Sequence, residues 1–280
     1  MLIADSGTTK TDWCLVIDGS LSQSVRTKGM NPYFQSYEEI KQEISCALMP
    51  QIGGVSVDTV HFYGAGCLFE RADTVSRAIR DTIAAQTVFV SSDLLAATHG
   101  VCRREPAIVC ILGTGSNSCF FDGENIVRNV PALGYILGDE GSGSMLGRML
   151  VSNVLKGILS EPLRKAFFKR FGLTQADIME HVYRQPFPNY FLASFSPFLL
   201  EHIDAPEIYS MVEKCFTVFL ERDVMQYDYR HYPVHFVGSI AWHYRDVLIK
   251  TVEKKGLSVG RILKSPMTGL LHYYGVETAK

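Results

Sequence analysis

Short apolar runs bounded by glycine alternate along the chain with longer stretches in which apolar residues recur at helical spacing. Met1–Ala4, Trp13–Ile17, Val60–Tyr63, Thr87–Val90, Ala107–Leu112, Asn117–Phe121 and Val234–Val237 read as strands. Residues 36–49, 69–85, 144–159, 206–222 and 239–254 read as helices, because their apolar positions fall on one face of a 3.6-residue period. The mixture indicates an α/β architecture. Residues near 160–232 read as almost entirely helical and are rich in Phe and Tyr, so an insertion or helical layer is expected there. No low-complexity segment or linker divides the chain.

Two internal echoes add to this pattern. Gly7 in Ile3-Ala-Asp-Ser-Gly-Thr-Thr-Lys-Thr and Gly115 in Ile111-Leu-Gly-Thr-Gly-Ser-Asn-Ser hold the same place in a strand–turn–strand unit. Val60-His-Phe-Tyr-Gly and Val234-His-Phe-Val-Gly repeat a second unit, a strand running into a glycine turn and a helix. The same order in each half suggests duplicated halves facing one another across a cleft, where a ligand would sit.

Composition narrows the function classes. The 280 residues are 47% hydrophobic and 20% charged, enough to bury a substantial core. A net charge of −2 gives no electrostatic reason to expect a nucleic-acid or membrane partner. Asp5 and Lys10 interrupt the first residues, so no signal peptide is expected, and no run approaches the ~18 apolar residues of a spanning helix. The seven cysteines at 14, 46, 67, 102, 110, 119 and 215 are scattered, without CxxC or Cys/His spacing. Each reads as a buried reduced thiol in a cytoplasmic protein.

Candidate chemistry gathers at the turns. In Asp5-Ser6-Gly7-Thr8-Thr9-Lys10-Thr11, Gly7 permits a tight turn and close approach of backbone to ligand. Successive amides could then cradle phosphate oxygens, with hydroxyls from Thr8, Thr9 and Thr11 and the charge of Lys10 beside them. Asp5, ending the first strand, suits a hydrated Mg²⁺. An ordinary hairpin with Thr and Asp turn chemistry accounts for the same residues. Gly113-Thr114-Gly115-Ser116-Asn117-Ser118 has the same character and admits the same two readings. Neither a GxxxxGK[ST] loop nor a GxGxxG after the first strand is present.

Asp93 ends the Thr87–Asp93 segment before a helical stretch, as either an N-cap or a general base for an attacking hydroxyl. Gly138-Asp139-Glu140-Gly141-Ser142-Gly143 precedes an amphipathic helix, and its carboxylates could either cap that helix or hydrogen-bond the hydroxyls of a polyol. Gly238-Ser239 opens a helix after Val234–Val237, through tight packing or to admit an adenine and ribose.

With these residues in hand, the chain resembles the actin-like ATPase superfamily of sugar kinases, heat-shock ATPases and actin. Within it the likeness is to the BadF/BadG/BcrA/BcrD-type ATPases, especially the N-acetylglucosamine kinase branch. The resemblance rests on Asp5–Thr11, Gly113–Asn117, Gly138–Gly143 and Gly238-Ser239, which occur in order and cover most of the chain. Ser6 and Thr8 stand where the family usually has glycines, and Leu133 stands where the kinase branch tends to have tryptophan.

The resemblance implies two ribonuclease-H-like domains, 1–108 with a returning C-terminal helix about 266–280, and 109–265 with the helical insertion about 160–232. It implies ATP and Mg²⁺ in the cleft, with Asp5 at the metal. Gly7, Thr8, Thr9, Lys10, Thr11, Gly113, Thr114, Gly115, Ser116, Gly238 and Ser239 would bind ATP. Asp93 would be the catalytic base, with Asn31, Asn117, Asp139 and Glu140 near the sugar, and a homodimer is expected. The expected activity is phosphorylation of an amino-sugar hydroxyl, on N-acetylglucosamine or a related cell-wall sugar. An ATPase activator of a 2-hydroxyacyl-CoA dehydratase type system and a non-catalytic nucleotide- or sugar-binding regulator are the alternatives.

Overall fold

The computed structural model describes residues 1–277 except Thr8 and Phe69. The chain falls into two compact units, Met1–Arg104 together with the residues from Ser265 onward, and Glu105–Lys264.

In the first unit, β1 (Leu2–Ser6), β2 (Lys10–Ile17) and β3 (Ser20–Lys28) form a meander, followed by α1 (Tyr37–Glu43) and α2 (Met49–Ile52). Then come β4 (Thr59–Gly64), α3 (Glu70–Arg80), β5 (Thr87–Ser92) and α4 (Asp93–Cys102). The sheet order is β3-β2-β1-β4-β5. β1 pairs antiparallel with β2, Leu2 opposite Leu15 through Ser6 opposite Thr11, and parallel with β4, Leu2 beside Val60 through Ser6 beside Gly64.

Between α1 and α2 the chain makes one π turn, Ile44–Leu48, in which Met49 N–H reaches back to Ile44 C=O. Pro50 follows at once; it has no N–H to donate, and the extra residue absorbs that break. Cys46 lies in this turn and is exposed, unlike the other six thiols, which are buried; its expected burial is corrected here. The exposed side of the π turn faces water because Ile44 and Leu48, not Cys46, carry the core contact.

The second unit repeats the scheme. β6 (Ala107–Leu112), β7 (Ser116–Phe121) and β8 (Ile126–Val130) form its meander, followed by α5 (Gly134–Leu137) and α6 (Gly143–Leu155). Five helices succeed one another: α7 (Glu161–Phe171), α8 (Gln175–Tyr183), α9 (Pro188–Ala193), α10 (Ser196–Glu201) and α11 (Pro206–Arg222). β9 (Val234–Val237), α12 (Ser239–His243), α13 (Arg245–Lys254) and β10 (Val259–Leu263) complete it. The order β10-β9-β6-β7-β8 has the same antiparallel and parallel neighbours as the first sheet. Both units are thus α/β with the ribonuclease-H-like strand order, and the two sequence echoes fall on equivalent strands.

Apolar burial follows the pleat. Leu2, Ala4, Trp13 and Leu15 pack with Ile40 and Val75 of α1 and α3 on one face of the first sheet. Ile3, Cys14 and Val16 pack on the other face with Ala96 of α4 and, from beyond Lys264, Leu270 and Leu271. In the second unit Ile108, Cys110 and Leu112 pack against the helical layer. Phe167, Phe171, Phe195 and Phe198 interlock there, with ring centroids 4.8 Å apart for Phe171 and Phe195 and 5.7 Å for Phe167 and Phe198.

Three strands were not evident from pattern, and all three are sheet edges. β3 is mostly polar and only Val25 and Thr27 are buried; β8 exposes its three middle residues. β10 contains Gly260, where a Cβ would fall 1.9 Å from His235 Nδ1. The His235 ring lies on that strand and accepts Arg261 N–H at 2.7 Å. The expected helix 239–254 is two helices, divided at Tyr244, whose hydroxyl donates to Ser196 C=O. The expected helix 69–85 is seen as Glu70–Arg80, its first residue lying outside the described residues. Among the described residues, no helix is long and apolar enough to cross a membrane.

α14 (Met267–Tyr273) returns the chain to the first unit, against α4. The last residues expected with it, 278–280, lie outside the described residues. The approach is backbone to backbone: a Cβ on Gly269 would fall 1.7 Å from Gly100 C=O, and one on Gly100 would fall 2.7 Å from Pro266 C=O. Gly269→Ala is therefore expected to destabilise the protein by about 1–3 kcal/mol or more through overpacking, read as a lower urea midpoint.

Candidate functional site

β1, β4 and β5 are parallel, and open α/β sheets bind ligands beyond the carboxyl ends of such strands. Asp5, Gly64 and Ser92-Asp93 stand at those ends. Beyond Ser6, Gly7 N–H donates to Lys10 C=O at 2.9 Å and closes the turn, while Thr9 C=O accepts Gly29 N–H at 3.1 Å. Thr8, expected on the phosphates, lies outside the described residues.

Two members of this loop are turned to other work. Thr11 is buried, and its hydroxyl donates to Lys28 C=O at 2.9 Å and lies 2.7 Å from Ser6 Oγ. Ser6 in turn accepts Met30 N–H at 2.9 Å. The hydroxyl that replaces the family's glycine thus ties the hairpin to the Gly29–Asn31 turn. The Lys10 ammonium pairs with Asp12, whose other oxygen holds Arg26 Nε at 2.6 Å.

Asp5 is a costly carboxylate. Burial, then the charges of Asp93 and Asp12, push its pKa up to about 7, while Lys10 and Ser265 pull it down. The Ser265 hydroxyl reaches Asp5 Oδ2 only at 3.5 Å. Asp93 is not the N-cap of α4. Ser92 takes that place, accepting Leu95 N–H at 3.2 Å, and leaves Asp93 as the first helical residue. Its Oδ1 accepts Leu94 N–H at 2.9 Å, and burial raises its pKa although backbone hydrogen bonds oppose the rise. Two half-buried, largely desolvated carboxylates that repel one another suit a hard divalent cation, and Mg²⁺ commonly takes only one or two protein carboxylates.

Asn31 joins the same end of the sheet. It is buried; its Oδ1 accepts Tyr33 N–H at 2.9 Å, and its N–H donates to Gln35 Oε1 at 2.7 Å. Gly66, in the turn after β4, lies so close that a Cβ would fall 2.4 Å from Asn31 Oδ1. Cys67, buried beside it, has its thiol pKa pushed up to about 12 by burial and by the charge of Asp93.

The second unit assembles its motifs on the end of β6. Gly143 N–H donates to Gly113 C=O at 2.8 Å and Ser144 N–H to Thr114 C=O at 3.0 Å. Ser116 N–H donates to Asp139 Oδ1 at 3.1 Å, and a Cβ on Gly115 would fall 2.9 Å from that oxygen. Asp139 is buried in a left-handed conformation (φ 53°), its pKa raised by burial and by Glu140, against the Ser116 amide and Arg148. Gly238 closes the group: its φ is 128°, and a Cβ would fall 2.3 Å from Leu112 C=O. Close packing alone requires glycine there, and Ser239 begins α12 behind it.

Other expected contacts are redirected. Asn117 Oδ1 accepts Ser118 N–H and Asn129 Nδ2, each at 2.9 Å, and so binds β7 to the edge strand β8. Glu140 pairs with Arg222 Nε at 3.0 Å. Behind it lies Asp223, which sequence pattern did not single out because it follows the helix α11 without any motif. Asp223 Oδ2 is enclosed and has no hydrogen-bond partner among the described residues. Burial, then Glu140 and Asp139, push its pKa up to about 7, with Arg222 opposing.

A carboxyl raised in this way keeps its proton in the fold where the unfolded chain has lost it. Its stability contribution is full below the ordinary carboxylate pKa and is lost as pH rises through about 7. Asp223→Asn should match the parent at about pH 4 and exceed it by about 1–3 kcal/mol at about pH 8, measured by urea denaturation.

No family model matches the chain, and no curated protein sequence matches it either. Solved structures do. A candidate N-acetylglucosamine kinase from Porphyromonas gingivalis is 46% identical with a TM-score of 0.96, covering 98% of each chain. A candidate N-acetylglucosamine kinase from Chromobacterium violaceum shares the fold at 18% identity and a TM-score of 0.74, over 97% of this chain and 98% of that one. A ROK family glucokinase from Streptomyces griseus, in complex with glucose and AMPPNP, shares it at 14% identity and a TM-score of 0.56, over 99% and 97%. With nearly half its residues shared along almost its whole length with the first of these, the chain belongs to the same family as that candidate N-acetylglucosamine kinase.

Proposed function

We propose that this protein is an ATP-dependent kinase that phosphorylates a hydroxyl of an amino sugar, N-acetylglucosamine or a related cell-wall sugar. The observation that carries the reading is Asp93. It stands at the carboxyl end of a parallel strand, relieved of capping by Ser92 and close enough to Asp5 for their charges to interact. The family relationship supports the substrate class.

In this reading the Asp93 carboxylate accepts the proton of the attacking sugar hydroxyl. The oxygen–phosphorus bond to the sugar forms as the bond from the γ-phosphorus to the β–γ bridging oxygen breaks, and ADP leaves with that oxygen. A carboxylate raised by burial is a better base than an exposed one, provided it is ionised at the working pH. Asp5 would hold Mg²⁺, which offsets phosphate charge when bound. Gly7, Thr9 and the turn at Gly113–Ser116 would supply phosphate-binding groups, and Gly238 and Ser239 an adenosine-binding surface. Asn31 and Asp139, buried and already fixed by backbone contacts, are the side chains best held to orient sugar hydroxyls. Dependence on ATP and seven free thiols favour a cytoplasmic setting, and a homodimer is the proposed assembly.

Purified protein with ATP, Mg²⁺ and a panel of amino sugars and muramic derivatives should yield a sugar phosphate. Asp93→Asn should retain nucleotide affinity by calorimetry and lose turnover by about 10²–10⁴-fold. Full turnover in that variant would remove Asp93 from the base role.

A further inference from the structure

α6 and α11 pack against one another, and between them lies a surface groove of about 510 Å³. That volume falls within the ~300–1,000 Å³ typical of small-molecule sites. α6 presents Arg148 and Ser152, one turn apart; α11 presents Ser210 and Lys214, also one turn apart. The buried Met211 contributes apolar surface. Glu207 also lines the groove, but its carboxylate is already engaged, accepting Ser160 N–H at 2.8 Å at the start of α7.

The balance of the groove is cationic. Neither Arg148 nor Lys214 forms an ion pair among the described residues. Two cations and two hydroxyls, set against one occupied carboxylate, are the donor set for a small anion rich in acceptor oxygens. A phosphate monoester on a polyhydroxyl body fits that chemistry.

Arg148 connects the groove to the candidate site. Its Nη1 donates to Tyr135 C=O at 3.1 Å, holding α5, which directly precedes Gly138. Its charge also acts on the Asp139 carboxyl, which lies against Gly115 and Ser116. An anion that recruits Arg148 competes with that hydrogen bond and weakens that charge interaction, the differential interactions that linkage between two sites requires.

We propose that the groove between α6 and α11 is a second site for a sugar phosphate, and that its occupation draws Arg148 away from Tyr135 and Asp139 and slows turnover. Ligand binding here stands on the groove alone, whereas the slowing rests on the kinase reading above. Lys214 is exposed and outside the candidate site, so its replacement leaves basal activity unchanged.

The test measures calorimetric affinity for N-acetylglucosamine 6-phosphate and for inorganic phosphate, with parent protein, Lys214→Glu and Lys214→Arg. The sugar phosphate should bind the parent, bind Lys214→Glu about tenfold or more weakly, and recover with Lys214→Arg. In the parent it should inhibit turnover in a manner that excess sugar substrate does not relieve, and Lys214→Glu should escape that inhibition. Equal affinity of parent and Lys214→Glu would overturn the site, as would no binding at about 10 mM, a weaker affinity than any regulatory role requires. Inorganic phosphate binding as tightly as the sugar phosphate would overturn the sugar-phosphate assignment. Lys214-dependent binding in a protein with no kinase turnover would leave the groove standing and overturn only the feedback.

Discussion

The central strand of each sheet is hydrogen-bonded on both sides, antiparallel to one neighbour and parallel to the other, and the rest of each unit depends on where that strand stops. β1 and β6 carry apolar residues on both faces, so neither can extend into water without exposing core. Each ends in a tight turn at the edge of the apolar layer. The neighbouring parallel strands, β4 and β9, end at the same level in glycine turns. Polar groups that cannot be buried within the sheet collect there, beside backbone that can approach a ligand closely.

That placement goes with carboxylates, at the strand ends and beside them, whose desolvation is only partly compensated. Asp5, Asp93, Asp139 and Asp223 are all pushed toward the protonated form, chiefly by desolvation. A fold selected only for stability has little use for such groups, since an apolar residue or a paired charge would serve better. The grouping of Asp5 with Asp93 at strand ends of the first sheet, and of Asp139 with Asp223 in the second unit, is therefore evidence of function as well as geometry. Asp223 differs from the others in having an enclosed carboxylate oxygen with no hydrogen-bond partner among the described residues, and it interacts with the charges of Glu140 and Asp139.

Much of the scaffold was legible in the chain itself. The buried strands Ala107–Leu112 and Val234–Val237 and the helix 206–222 agree with the structure at both ends, because continuous burial and a wide apolar stripe leave strong patterns. Edge strands β3, β8 and β10 left almost none, since half of each faces solvent or a ring such as His235. The motifs fall on turns at strand ends, and several side chains in them are engaged by partners within the fold. Thr11 is enclosed by Ser6 and Lys28, Lys10 is paired with Asp12, and Asn117 is bound to Asn129, partners that no local pattern could assign.

The sequence by itself determined the α/β class, the duplicated order of strands and turns, and the position of Asp93 at a strand end. These follow from local periodicity and from glycine, which act within a few residues. Only tertiary structure decided that Ser92 and not Asp93 caps α4, that Asp139 rests on Gly115, and that Arg148 belongs both to a groove and to the Tyr135 and Asp139 environment. Those outcomes depend on which hydrogen-bond partner or charge lies nearest after distant segments pack, and desolvation, which sets the state of each carboxylate, exists only once they have.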